Sequence, residues 1–495
     1  MDDSGGARSE STAITAVPSY RLLTQEHIDA IHGATLEILG QTGVRVSHPE
    51  ALQLLRDNGC SIGANDTVLI PGDLVEASIR GAPHSITIYD RTGREAMHLG
   101  GRNNYYGLGT DLIRTQDIYT GETRMSVLQD VINAARITDA CSQINFVASF
   151  ALPGDVSTNA MYVACVKAQL ENCTKPIFFT AAGREDMSVI HEMAATVAGG
   201  EDLFRAKPFL INYSEPTPPL VHSYGALSKL LFCAEKGIPL CYTPAAMLGG
   251  SAPVTVAAGL VQTNAEALSG LVIHQLKAPG APIISGVALP PLDMRTSCIS
   301  YAAPEMRLAN SAFADLYHFY GLPMWSSAGS DAHTMDTQGS WENAMGILLA
   351  SLDGANLIHD VAYLGQGLLC NPAMIVMCDE QISYVRRLLA GIGVDREMLG
   401  VETIRAAGPG GNYLTSDHTL QHFRQHVWQP TLVNRDNPDN WAKKGGLRYE
   451  ERVIQKAQRI LATHRPQPLP EPVSLKLAEI YDRAELELAR IQFAA

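Results

Sequence analysis

Charge is scarce in this chain: 18% of residues are charged and 6% aromatic, against 46% hydrophobic. So thin a charged shell excludes an extended, disordered chain and implies a globular one with a large buried core. Basic charge is the scarcer sign, with 37 Lys and Arg facing 51 Asp and Glu, a net of −14. That balance argues against nucleic acid or an anionic membrane as partner and welcomes a small cation. No apolar run reaches the roughly 18 residues that a membrane-spanning helix needs. The opening MDDSGGARSESTAITAVPSY has no basic stretch leading into an apolar one, so no secretory signal is expected. Nine scattered cysteines form no CxxC pair and have no histidines at ligand spacing. Reduced thiols in a cytoplasmic protein are the expectation, with no metal site. Nucleotide loops are missing too: the GLG at 107–109 is not followed by the strand–turn–helix of a dinucleotide fingerprint.

What is present is alternation. After a predicted disordered tail at 1–20, residues 21–125 read as an α+β extension, with a helical stretch and a hairpin around RTGR. From 126 to 380, apolar strand-like runs alternate with helical spacing. INFVASF at 144–150, PIFFTAA at 176–182, PFLINYSE at 208–215, IPLCYTPAA at 238–246 and PIISGVAL at 282–289 each follow a helical stretch. MWSSA at 324–328 and the short run at 356–358 complete seven strand–helix repeats. An eighth strand is expected either earlier, in GETRMS, or later, in AMIVMCD at 373–379. The count predicts a TIM (β/α)8 barrel, with 381–495 as a C-terminal helical region packed on the barrel or on a neighbouring subunit.

In a parallel barrel the reactive groups sit at the C-terminal ends of the strands. The stretch 321–367 delivers two such ends in succession. MWSSA runs into a polar loop holding Asp331, His333, Asp336 and Gln338, and the next strand ends on His359 and Asp360. The third of the five runs ends at Glu215, where prolines stop the strand and fix the loop. Tyr105, Tyr106, Tyr213, Tyr242, Tyr301, Trp325, Trp341, Tyr363 and Tyr413 lie at strand ends or in loops, although aromatics are few. Aromatic rings attract quaternary ammonium groups, by roughly 0.5–2 kcal/mol per well-placed ring. A Schiff-base lyase is disfavoured because no lysine falls at a predicted strand end: Lys175 and Lys207 precede their strands.

The block SDAHTMDTQGSWENAMGILLASLDGANLIHDVAYL resembles the signature region of the trimethylamine methyltransferase superfamily. GTDLIRTQDIYTGETRMSVLQDVINAARITD, SEPTPPL, YAAPEMRLANSAFADLYHFYGLP and GPGGNYLTSDHTLQHFRQHVWQP resemble its other blocks, in the same order. The resemblance implies a barrel enzyme that passes a methyl group from an amine to the Co(I) corrinoid of a partner protein, with no cofactor held permanently. The founding trimethylamine enzymes carry pyrrolysine, whereas this chain has standard residues only. It is therefore similar to the branch that includes glycine betaine methyltransferase. Proline betaine, carnitine, γ-butyrobetaine and trimethylamine remain alternative donors, and a betaine- or corrinoid-binding barrel without turnover is the non-enzymatic alternative. On this reading His359, Asp331, His333 and Gln338 are the catalytic residues. Tyr105, Glu215, Tyr242, Tyr301 and Asp336 hold the substrate, and Arg295, Arg307 or Asn212 meets its carboxylate. A homo-oligomer is expected.

Overall fold

A computed structural model describes residues 15–492. Its centre is a ring of parallel strands: β1 (Tyr105–Leu108), β2 (146–147), β3 (Ile177–Phe179), β4 (Leu210–Ser214), β5 (Leu240–Tyr242), β6 (Ile283–Gly286), β7 (Met324–Ser327) and β8 (Leu357–Val361). Strands β3 to β8 pair in sequence order, and β8 returns to β1 through Leu357 opposite Tyr105. Single parallel bridges, Gly107 to Phe146 and Val147 to Ile177, seat β2 between β1 and β3 and close the ring. Strands packed on both faces can be apolar throughout, which is why Ile-Phe-Phe and Ile-Ile-Ser-Gly need no polar alternation.

Eight helices cover the outside, one after each strand: α1 (Leu128–Ala140), α2 (Met161–Asn172), α3 (Arg184–Ala198), α4 (Tyr224–Lys236), α5 (Val256–Lys277), α6 (Pro304–Tyr320), α7 (Thr337–Asp353) and α8 (Pro372–Leu389). Their ends follow local chemistry. Asp336 caps α7 by accepting from the Gln338 and Gly339 amides, and Gly354 stops it at φ 79°, a torsion that costs glycine least. Helix α5 is long and apolar enough to cross a membrane, but 72% of its most apolar 18-residue window is buried within this fold.

The eighth strand is neither segment that the sequence nominated. AMIVMCD lies inside α8, because Asn371 caps a helix there and Pro372 occupies its first turn. Thr123–Met125 is a strand of a small side sheet with Arg114–Gln116 and Leu369–Cys370. The missing strand is Tyr105–Leu108, so the barrel starts before residue 126. Of the tail expected to be disordered, 1–14 lie outside the described residues. Thr15–Ala16 pairs antiparallel with Ile392–Gly393, and the Tyr20 amide donates to Leu352 O. The N-terminal extension packs its helices on α5, while Val44–Val46 pairs with Val221–His222 in the β4–α4 loop. On the far side, helix Tyr449–Thr463 lies against α8 and α1, and helix Glu471–Gln492 against α3 and α2.

Candidate active site

A cavity of about 500 Å3 opens at the C-terminal ends of the strands. Its deep part is aromatic. His359 on β8 is 2% exposed and lies with its ring centroid 4.5 Å from Phe178 and 5.7 Å from both Tyr213 and Trp325. Tyr213 reaches across from β4 and stacks on Trp325 of β7, centroids 6.2 Å apart and planes 24° apart. Higher up, Tyr301 and Tyr363 meet edge to face at 6.1 Å, and Tyr162 of α2 completes the aromatic lining.

Carboxylates are set into these rings. Asp111 follows β1 and accepts from Thr180 Oγ1 at 2.8 Å and Ser149 Oγ at 2.9 Å. Glu215 at the end of β4 accepts from the Tyr213 hydroxyl, and Asp360 follows His359. Burial pushes the Asp111 and Glu215 carboxyls above the usual carboxylate range, against the hydrogen bonds from Thr180 and Ser149 in one case and from Tyr213 in the other. The same burial lowers the Lys229 ammonium, opposed chiefly by the charge of Glu215. His359 Nδ1 lies 2.8 Å from Asp360 Oδ1 but off the line of a hydrogen bond, and Nε2 has no partner among the described residues. Trp325 Nε1 is likewise buried without a partner among the described residues.

The backbone around the cavity is strained where it turns away from the strands. Asp111 (φ 65°), Phe150 (φ 59°), Asp360 (φ 60°) and Ala362 (φ 70°) all occupy the left-handed region that non-glycine residues avoid. Such conformations cost of order 1–3 kcal/mol each and persist where surrounding structure enforces them. Close packing enforces the shape at the two glycines of GLG. A β-carbon on Gly107 would lie 2.2 Å from the Phe146 ring, and one on Gly109 would lie 1.9 Å from Tyr363. These glycines let aromatic rings lie directly on the main chain of β1 and of the residue that follows it.

Of the residues expected at the site, His359, Glu215 and Tyr301 line the cavity. Asp331 stands behind it: Oδ1 accepts the Tyr301 amide at 2.7 Å, and Oδ2 accepts from Ala302 N and the Ser300 hydroxyl, which fixes the loop carrying Tyr301. Gln338 donates to Glu342 Oε1 at 2.9 Å, Asp336 caps α7, and His333 is exposed on the intervening loop. Tyr105 begins β1, at the opposite end of the ring, where its hydroxyl accepts from the His98 amide at 3.0 Å. Tyr242 faces the helix layer, with its hydroxyl 2.8 Å from His222 Nδ1 and its ring beside Gly270 of α5. Arg295 pairs with Asp293, Arg307 donates to the carbonyls of Ser327 and Gly329, and Asn212 donates to Phe179 O, so none of the three lines the cavity.

Asp111, Tyr162 and Lys229 line the cavity unanticipated. Asp111 was legible once Tyr105–Leu108 is read as a strand, since it then sits at a strand end. Lys229 had a different signal, a lone charge between the buried Leu227 and Leu230 of α4.

Comparison with known proteins agrees with this architecture. The trimethylamine methyltransferase (MTTB) family profile matches residues 4–489. Trimethylamine methyltransferase MttB of Desulfitobacterium hafniense (strain DSM 10664 / DCB-2) is 32% identical over 492 residues, covering 98% of this chain and 97% of its own length. Glycine betaine methyltransferase of D. hafniense (strain Y51) is 29% identical over 466 residues, 93% and 96% of the two chains. Among solved structures, the monomethylamine methyltransferase of Methanosarcina barkeri aligns over 90% of this chain and 88% of its own, with TM-score 0.50 and 11% identity, a likeness of fold alone. The chain belongs to the trimethylamine methyltransferase family and is a methyltransferase built on a (β/α)8 barrel.

Proposed function

We propose that this enzyme takes a methyl group from a quaternary amine, glycine betaine or a related betaine, and passes it to the Co(I) corrinoid of a partner protein. The observation that carries this reading is the cavity itself, where five aromatic rings (Tyr162, Tyr213, Tyr301, Trp325 and Tyr363) surround the carboxyl groups of Asp111, Glu215 and Asp360. Rings and carboxylates together hold a methylated ammonium ion, which has no N–H to donate and is recognised by charge and by the faces of π-systems.

The chemistry fits what the chain supplies. The C–N bond of a quaternary amine breaks with both electrons kept by nitrogen, and the product leaves as a neutral tertiary amine. The electron pair that forms the new bond to the methyl carbon comes from the acceptor. No proton has to be delivered, so the work left to the protein is binding and in-line positioning. Positive charge on nitrogen fades as the bond breaks, so full ionic pairing would hold the ground state more firmly than the transition state. Aromatic faces and carboxyls whose ionisation burial opposes make a milder cradle. Trp325 and Tyr213 floor the ammonium site, and His359 presents unpartnered ring nitrogens beside it.

The test is methylation of free Co(I) cobalamin by the purified protein, followed by visible absorbance, with glycine betaine against trimethylamine. Methylation from the betaine is expected. Methylation from trimethylamine alone, or from none of a panel of betaines, overturns the proposal.

A further inference from the structure

The cavity is polarised across the barrel. On the side of β7 and β8 its wall is Trp325, His359, Asp360 and Tyr363, with Tyr301 from the preceding loop. On the opposite side, formed after β3 and β4, the small and hydroxyl-bearing residues Thr180, Ala181, Ser214, Ser223 and Gly225 line it beside Tyr213 and Glu215. Into this second flank projects Lys229, the one lysine or arginine lining the cavity among the described residues.

Lys229 is in an unusual state for a lysine. It lies in the second turn of α4, between residues that pack into the core, so its stem runs inward under the loops instead of outward to water. Its ammonium carries three N–H donors, and among the described residues it forms one hydrogen bond, to Ala181 O at 3.0 Å. Among the described residues, no carboxylate oxygen lies within 4 Å of it; of the other lysines that also lack one, Lys207 and Lys443 are exposed and Lys175 spends its three N–H donors on the carbonyls of Thr138, Cys141 and Ile144. Removing an ammonium from water without a counter-charge in contact is costly, and the carboxyls of Glu215 and Asp111 act on this one only across more than 4 Å. A fold that keeps one at the edge of an otherwise acidic and aromatic cavity presents its two remaining N–H donors to an anion there.

Building on the methyl-transfer reading, we propose that Lys229 anchors the carboxylate of a zwitterionic substrate, whose methylated ammonium group lies against the aromatic flank. The preferred donor is then a betaine, and a quaternary amine without an acid group, such as choline, is the disfavoured one. Lys229 is a specificity-determining residue, and it takes the role that sequence reasoning had given to Arg295, Arg307 or Asn212. Ser223, whose oxygen accepts the Ala226 amide, has its own O–H left to offer beside it for the second carboxylate oxygen, whereas Thr180 already donates to Asp111.

The experiment compares the wild type with Lys229→Met and Lys229→Arg, using glycine betaine, proline betaine and γ-butyrobetaine as zwitterions and choline as the acid-free donor. Turnover is followed with free Co(I) cobalamin, and binding by calorimetry. Loss of one charge-assisted contact predicts that Lys229→Met lowers the betaine-to-choline ratio by about 10- to 150-fold, through KM more than kcat. Lys229→Arg should retain part of the preference. A structural role would depress betaine and choline together and leave their ratio unmoved, which overturns the proposal. If the wild type transfers methyl groups from none of these donors, the methyl-transfer reading fails by itself, and calorimetry still decides the anchor. Betaine binding that Lys229→Met abolishes upholds it; betaine binding that survives the change, or no betaine binding by the wild type, overturns it.

Discussion

Adding one methyl group just past the end of β1 should disturb both the fold and the ammonium site. In Gly109→Ala the new β-carbon falls 1.9 Å and 2.0 Å from two ring carbons of Tyr363. Gly109 does not adopt a left-handed torsion, so alanine is strained by the ring and not by its own backbone. Restoring ordinary contact at 3.4 Å means a retreat of the ring by about 1.5 Å. That movement breaks the bond from the Tyr363 hydroxyl to Thr110 O, now 2.7 Å. Overpacking of this kind costs about 1–3 kcal/mol, and the lost hydrogen bond about 1 kcal/mol, so a destabilisation of about 2–4 kcal/mol is expected. Urea denaturation measures it, and a double-mutant cycle with Tyr363→Ala assigns it. With the ring gone there is nothing to clash, so Gly109→Ala should then cost no more than about 0.5 kcal/mol further. Additive costs in the cycle would show that the strain lies elsewhere and refute the reasoning. Betaine binding should weaken in Gly109→Ala as Tyr363 leaves its place in the lining.

Burial raises the Glu266 carboxyl from its ordinary 4.5 to about 7, opposed by the Leu220 amide and Gln262. A folded-state value above the unfolded one means that its contribution to stability is fully present below pH 4.5 and lost as pH rises toward 7, by about 3 kcal/mol. Glu266→Gln stays neutral, so its melting temperature should gain on the wild type between pH 4.5 and 8; a difference that does not change with pH would contradict this. Asp331→Ala removes the acceptor that holds the Tyr301 amide. It should raise KM for the quaternary amine by about tenfold, within the range for an unmet buried donor, while a fall in kcat at constant KM would assign Asp331 a chemical role instead.

Seven of the eight barrel strands were legible because parallel strands buried on both faces are written as apolar runs, as in IFF and IISG. Tyr105–Leu108 was not, because Tyr-Tyr-Gly-Leu lacks such a run and glycine argues locally against a strand. Gly107 within it and Gly109 just after it answer to Phe146 and Tyr363, rings 39 and 254 positions further along the chain. No local pattern announces a contact of that kind. Within the site, strand-end position pointed to His359, Glu215 and Tyr301, all of which line the cavity.

By itself, then, the sequence determined the alternation of strands and helices, the acidic character, the family blocks, and the set of polar groups delivered near strand ends. Each of these depends on neighbours within a few residues or on composition. Only tertiary structure decided which end of β1 holds Tyr105, which side of the sheet receives Tyr242, and that Asp331 braces a loop from behind. It also decided that a lysine on α4 turns into the cavity. The physical reason is closure: once the ring shuts, register and pleat assign every side chain to the barrel interior, the helix layer or one of the two open ends, and that assignment belongs to the ring as a whole.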